Sequence, residues 1–493
     1  MKVLNRKNAI LFALTFAIGS FFSQCQNDPK QDTAKEKEKQ GVFVNDYNLN
    51  SSANVCESFW FPHSSTPAPM EGIGSPFDTN STTNLLFHQW SWQKFLWLTK
   101  ETNGIPLFRD SLTQISNQLI PIDTTIMGTD LILTDIGQAG SNGFIISNSA
   151  FNGIADTVYY SIHGDESLIH LSDSMKTVML KDRNKLNNSV AFPVGALEVK
   201  VSWVNANTIP VADRKNYYTT LAYITTIKDT ATMAALGMHV VGVVINHPEF
   251  IWATFEHKNM APLYNWDSTT TTADYPVTSS EEMLFFNTTD TASVKNIIWE
   301  ASTSKSIFSV FSLGIPKTAG GSFMPNLSQD SATNQSNQDN IENLNTCVTT
   351  TLGSTDVWSN YFYDGSIWAN TDGLSPSKQI DTLLTLGSIG NVTSNHITRG
   401  ALAASNLTME TFEQAYLPYM HDITSSNIIN CFSCHSTVAT IVLGKDTFPK
   451  QKSPLYFSHV FRSYMSEGTG VTIKEIEKLR IMEMIEVKSN RPQ

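Results

Sequence analysis

Three stretches in the middle of the 493-residue chain restrict its fold more than any other feature. In residues 196–204 (ALEVKVSWV), Leu197, Val199, Val201 and Trp203 alternate with Glu198, Lys200 and Ser202. That is the two-residue period of a strand with one core face and one polar face. Residues 239–246 (HVVGVVIN) form a short valine-rich run, and residues 250–257 (FIWATFEH) alternate again, with Asn246-His247-Pro248 as the break between them. Paired strands follow, within a β texture that runs from near Gly128 to about residue 260.

Helical spacing dominates elsewhere. Residues 84–100 place Leu85, Phe87 or His88, Trp92, Phe95 and Leu96 on one side, which predicts one amphipathic helix with Asn84 available as its cap. Residues 399–420 are rich in helix formers, and 472–487 carry Ile473, Ile476, Leu479, Met482 and Ile485 on one face. Two stretches rich in Thr, Ser, Asn and Asp, 267–281 and 317–346, read as loops or insertions. The fold class expected is α+β: a large β-rich mixed domain over 42–389 and a small C-terminal all-α domain over 390–493.

The N-terminus has the layout of an export signal. Lys2, Arg6 and Lys7 precede an apolar run from Ala9 to Phe22. Phe22-Ser23-Gln24-Cys25 then resembles a bacterial lipobox, in which the cysteine becomes the lipidated first residue; Gln24 departs from the usual small residue. On this reading, 1–24 is a lipoprotein signal peptide, and the polar stretch 25–41 is a tether without large apolar residues. The protein is then exported to the periplasm or cell surface and held to a bacterial membrane by acyl chains at Cys25. Lys and Arg number 33 against 45 Asp and Glu, so no basic surface for a nucleic acid is expected.

Five cysteines occur: Cys25, Cys56, Cys347, Cys431 and Cys434. The last two lie in Cys431-Phe432-Ser433-Cys434-His435, the C-x-x-C-H pattern of covalent c-type haem attachment. Two thiols one helical turn apart add to the haem vinyl groups, and the next histidine offers its imidazole to the iron. A thioredoxin-like redox pair would follow a strand, whereas the residues before this motif are polar and loop-like, and half a zinc site would need a second Cys/His pair nearby. Cys431, Cys434 and His435 therefore predict one covalent haem c in a small cytochrome c-like domain. Cys56 and Cys347 remain, and an exported chain favours a disulfide between them over two buried thiols.

Four side chains compete for the sixth position on the iron. Met482 falls on the apolar face of the last helix, where methionine ordinarily fills core gaps, and Met484 faces elsewhere. Met465 is preferred over His459, because thioether ligation is usual in short single-haem domains; His459 also suits a propionate hydrogen bond.

Several segments taken in order resemble a group of bacterial proteins described only as cytochrome c family proteins. They are Trp92-Gln93-Lys94-Phe95, residues 197–203, Gly237-Met238-His239-Val240-Val241, residues 251–259, residues 406–411 and the haem motif. The resemblance implies a single haem c at the C-terminus of a large domain of unassigned activity, and it supplies no substrate.

Glu198 with Lys200, Glu256 with His257, and the nearby Trp203 and Trp252 offer a site on paired strands, but the plainer reading is favoured: a salt-bridged sheet face whose charges meet solvent or each other. His239, His247 and His257 lack metal-like spacing. Three functions fit: a tethered electron carrier serving a redox partner protein or a small-molecule reductant or oxidant; a haem-dependent oxidoreductase with substrate in the large domain; and a surface binding protein with structural haem.

Overall fold

Alternation over so many consecutive segments demands partners on both strand edges, and the chain supplies them in a nine-stranded sheet. The computed structural model describes residues 55–80, 82–116, 119–124, 128–133, 145–181, 191–266, 275–293, 309–315, 331–369, 374, 378, 398–401, 404–410, 431, 441–443 and 446–448. The chain divides into two units, Met1–Ser51 and Ser52–Gln493, and all described residues belong to the second.

The described helices are α1 (Asn84–Thr99), the single turns α2 (Leu107–Asp110) and α3 (Ser149–Asn152), α4 (Glu166–Lys181) and α5 (Ser331–Leu352). The strands are β1 (Glu101–Thr102), β2 (Ile105–Pro106), β3 (Thr113–Ile115), β4 (Ile132–Leu133), β5 (Tyr159–Gly164), β6 (Leu197–Asn205), β7 (Thr219–Ile224), β8 (Asp229–Val244), β9 (His247–His257), β10 (Tyr361–Ala369), β11 (Thr398–Gly400), β12 (Ile441–Leu443) and β13 (Asp446–Phe448). The large sheet runs β11-β10-β9-β8-β6-β5-β3, with every neighbouring pair antiparallel. The first part of β8 also pairs with β7, and β7 carries the short parallel strand β4. An α+β class with a dominant antiparallel sheet is therefore present. The sheet continues past residue 389, since β11 pairs with β10 and residues 404–410 bond to β9. Within 390–493, a two-stranded antiparallel pair, β12 with β13, is described; the expected helix over 472–487 lies outside the described residues.

Leu197, Val199, Val201 and Trp203 share one sheet face with Met238, Val240, Ile251, Ala253, Phe255 and Tyr363, and all belong to one buried apolar cluster. Helix α1 covers that face. Phe95 stacks on Phe255 at 4.1 Å between ring centroids, and Phe87 stacks on Trp368 at the same separation. The helix forms as expected but is not amphipathic: His88, Gln89, Ser91 and Lys94 are as buried as Trp92 and Phe95. Its polar groups are satisfied internally. Lys94 pairs with Glu71 at 2.7 Å, and Trp90 donates to the same carboxylate. The cap position is Thr83, not Asn84, and its side chain makes no capping bond.

Part of the stretch expected to be loop, 317–346, is helical: residues 331–346 open the 22-residue α5. Composition hid it, because Thr, Asn and Ser are poor helix formers. Tertiary contact overrides that preference: Ile341, Leu344 and Val348 bury one stripe against the core cluster. Asn337 and Asn345 bond into the interior, accepting from His88 and from the Trp92 indole. Cys347 on this helix is joined to Cys56 by a disulfide, with Cα atoms 6.0 Å apart and a sequence separation of 291.

That bridge closes a very long loop, so its loss frees the denatured chain. The double variant Cys56→Ser, Cys347→Ser is expected to lose about 2–5 kcal/mol of stability. Thermal unfolding with and without reductant checks this: reductant lowers the midpoint of the wild type and leaves that of the variant unchanged.

Candidate functional site

The second face of the sheet is where charge collects. Strand alternation puts Glu198, Lys200 and Ser202 on the side opposite Val199 and Val201, and register continues the row across the neighbouring strands. Lys200 lies opposite His239, His239 opposite Thr254, and Gly237 opposite Glu256. The centre of this face is shielded from solvent. Glu198, Lys200 and Glu256 are each less than 5% exposed, which corrects the reading of a solvent-facing surface.

Strand β10 adds Asp364. Opposite β9, the pairing slips between Tyr363 and Gly365, leaving Asp364 as the extra residue of a bulge beside Glu256. Gly365 permits the slip: its φ is +138°, and a Cβ there would overlap Ala401. Asp364 is fully buried, and neither carboxyl oxygen has a hydrogen-bond partner among the described residues.

Residues 404–410 lie across this face. Asn406 is the pivot: its amide donates to Thr254 Oγ1 (3.1 Å) and to the Phe255 carbonyl (2.8 Å), while its Oδ1 accepts from the Thr408 amide and hydroxyl. Glu256 accepts from the Ser312 hydroxyl and from the Leu407 amide (2.9 Å). Glu410 accepts from the Asn406 amide (2.7 Å) and sits 3.2 Å from His239 Nε2. Thr408 meets Ser202 at 2.6 Å, and its carbonyl accepts from the Tyr160 hydroxyl. Lys200 Nζ stands 4.7 Å above the Tyr160 ring. Four strands thus converge on one seven-residue segment.

Burial sets the electrostatics. It pushes Glu198 up to about 7 against the opposing pull of Lys200. Glu256 is also pushed up to about 7, by burial and by Glu410, against its hydrogen bonds from Ser312 and Leu407. Asp364 is raised well above the usual carboxylate range by burial, then by the charges of Glu256 and Glu410. The chemistry available here is proton storage and exchange among carboxyls in a dry site.

The other candidates separate. His257 follows Glu256 but points to the opposite face, where it stacks on Tyr217 and donates to the Asn216 carbonyl; burial lowers it to about 3, so it is a neutral structural imidazole. Trp203 and Trp252 also lie on opposite faces, so they share no site. His247 pairs with Glu249 at 2.9 Å. Among the described residues, no group of three His, Cys, Asp or Glu side chains could hold a metal ion, and no helix is long and apolar enough to cross a membrane. Cys431 is partly buried; Cys25, Cys434, His435, His459, Met465, Met482 and Met484 lie outside the described residues. Sequence reasoning missed Asp364 and Ser312. The Asp364-Gly365 pair reads as a turn, and only the register shows it to be a bulge.

The seat of Asn406 is cut by a glycine: a Cβ on Gly237 would stand 2.6 Å from Asn406 Nδ2. Gly237→Ala is therefore expected to cost about 1–3 kcal/mol. Asn406→Ala in the same background makes room, so the double variant loses less than the sum of the two single losses. A double-mutant cycle by denaturant unfolding measures this. A second expectation concerns pH. Glu198 and Glu256 regain ordinary acidity on unfolding, so in the folded protein they hold more protons between the usual carboxylate range and about 7, and their contribution to stability falls as pH rises through that window, against the opposite contribution of the buried neutral imidazoles His88, His163 and His257. Glu256→Gln is expected to shrink the fall, measured as thermal midpoints between about pH 5 and about pH 8.

Comparison with known proteins adds no relative: no family model matches the chain, and no match was found among curated proteins or among solved structures.

Proposed function

We propose that this chain is an exported, lipid-anchored c-type cytochrome that carries one covalent haem and transfers electrons to or from a redox partner. The observation that carries the reading is Cys431-Phe432-Ser433-Cys434-His435 downstream of an export signal. The Cys56–Cys347 disulfide supports it in two ways. Persistent disulfides belong to oxidising compartments, where haem c is also attached. The bridge also accounts for both cysteines that are neither at the lipobox nor in the motif. The donor set fits the group: two thiols and an imidazole within five residues would hold haem c through two thioethers and one axial bond. When bound, haem supplies a reversible one-electron iron couple. Cys431 and Cys434 would fix its orientation, and His435 would tune its potential.

A second reading is an oxidoreductase in which the sheet domain binds a substrate and passes its electrons to haem. The buried row of Glu198, Lys200, Glu256 and Asp364, with the partly buried His239 beside it, favours it, because a plain carrier has no need for titratable groups in the interior of an upstream domain.

Mature protein made in a host with cytochrome maturation machinery is expected to give a pyridine haemochrome spectrum with one haem per chain. Cys431→Ser with Cys434→Ser is expected to be colourless, and a coloured double variant would sink covalent attachment. Met465→Ala is expected to lose the low-spin six-coordinate spectrum, whereas His459→Ala keeps it. Haem reduction by a small metabolite, without a protein partner, would favour the oxidoreductase.

A further inference from the structure

We propose that residues 404–410 form a proton-gated clasp, seated on the sheet while Asp364 carries a proton and loosened when that proton is lost.

The clasp is held by the buried side chains of Leu407 and Met409, which join an apolar cluster with Tyr160 and Leu236, and by hydrogen bonds: its backbone and side chains bond to Tyr160, Ser202, His239, Thr254, Phe255 and Glu256 across β5, β6, β8 and β9. Two of its backbone N–H groups, those of Asn406 and Leu407, donate to carboxylates, Glu410 and Glu256. Asp364 is placed beside these two acceptors by the β10 bulge, and the only charges acting on it among the described residues are those of Glu256 and Glu410. Both are negative. Lys200 and Glu198 lie on β6, beyond β9 and β8, and His239 on β8 engages Glu410. An ionised Asp364 would thus be a charge in a dry interior with no donor on either oxygen and two like charges alongside. Seating the clasp excludes water from it; opening the clasp hydrates it and restores ordinary acidity.

The sign follows. The seated clasp binds the Asp364 proton more tightly than the open clasp, so raising the pH favours opening, by at most ~10-fold per pH unit for one linked proton. His239 lies 3.2 Å from Glu410 of the same segment, so the test must separate its role from that of Asp364. The inference rests on the sheet alone and is independent of the proposed haem. Glu410 precedes Cys431 by 21 residues, so the clasp is the last described part of the sheet domain before the motif.

Hydrogen exchange of the mature full-length chain, corrected for intrinsic pH dependence, reads the clasp directly. Protection of the Asn406 and Leu407 amides is expected to fall with rising pH while amides in β6 and β8 hold. Asp364→Asn, uncharged at every pH, is expected to flatten that fall, and His239→Gln to retain it. Protection that is flat with pH in the wild type, a fall that persists in Asp364→Asn, or one abolished by His239→Gln alone would each overturn the proposal. Should Asp364→Asn not fold, infrared spectroscopy of the Glu198→Gln, Glu256→Gln double variant decides: a protonated-carboxyl carbonyl band at neutral pH supports it, and its absence refutes it.

Discussion

A sheet that buries both faces must satisfy every polar group it carries, and this constraint shapes the molecule. One face is solved by apolar packing: helices α1 and α5 press aromatic and aliphatic side chains against β6, β8, β9 and β10. The other face carries carboxylates, a lysine and a histidine, which the turn beginning at Asn406 and the Ser312 hydroxyl partly satisfy. Unpaired polar groups in such a place cost several times what a made hydrogen bond contributes, so the turn is as necessary to that face as the helices are to the first.

The same accounting explains the small residues at the junctions. Gly237 leaves room for the Asn406 amide, and Gly242 leaves room for the Trp90 ring, which a Cβ would approach to 2.8 Å. Gly365 lets β10 slip by one residue, and that slip delivers Asp364 to the polar face. Each glycine trades strand preference for a close approach that the buried network requires.

How much of this was legible follows from range. The alternation in residues 196–204 and 250–257 reports local geometry, and strands β6 and β9 lie there as expected. The same alternation marked one face as polar but carried no information on what lies over it, because the covering turn is about 150 residues further along. Helix α5 was illegible for a related reason: Asn337 and Asn345 work through partners in α1 and β10, which no local window contains. Asp364 was hidden by its own neighbour, since Asp-Gly normally signals a reversal of the chain rather than an irregularity within a strand. The haem motif is the opposite case, a pattern complete within five residues.

The covalent link between Cys56 and Cys347 also settles how the fold bears load. Tension arriving from the amino-terminal side meets a crosslink almost as soon as it reaches the described domain and is handed to the middle of α5, which is itself packed along α1 and β10. A pull applied there is therefore shared over several elements in shear instead of peeling away one edge segment at a time.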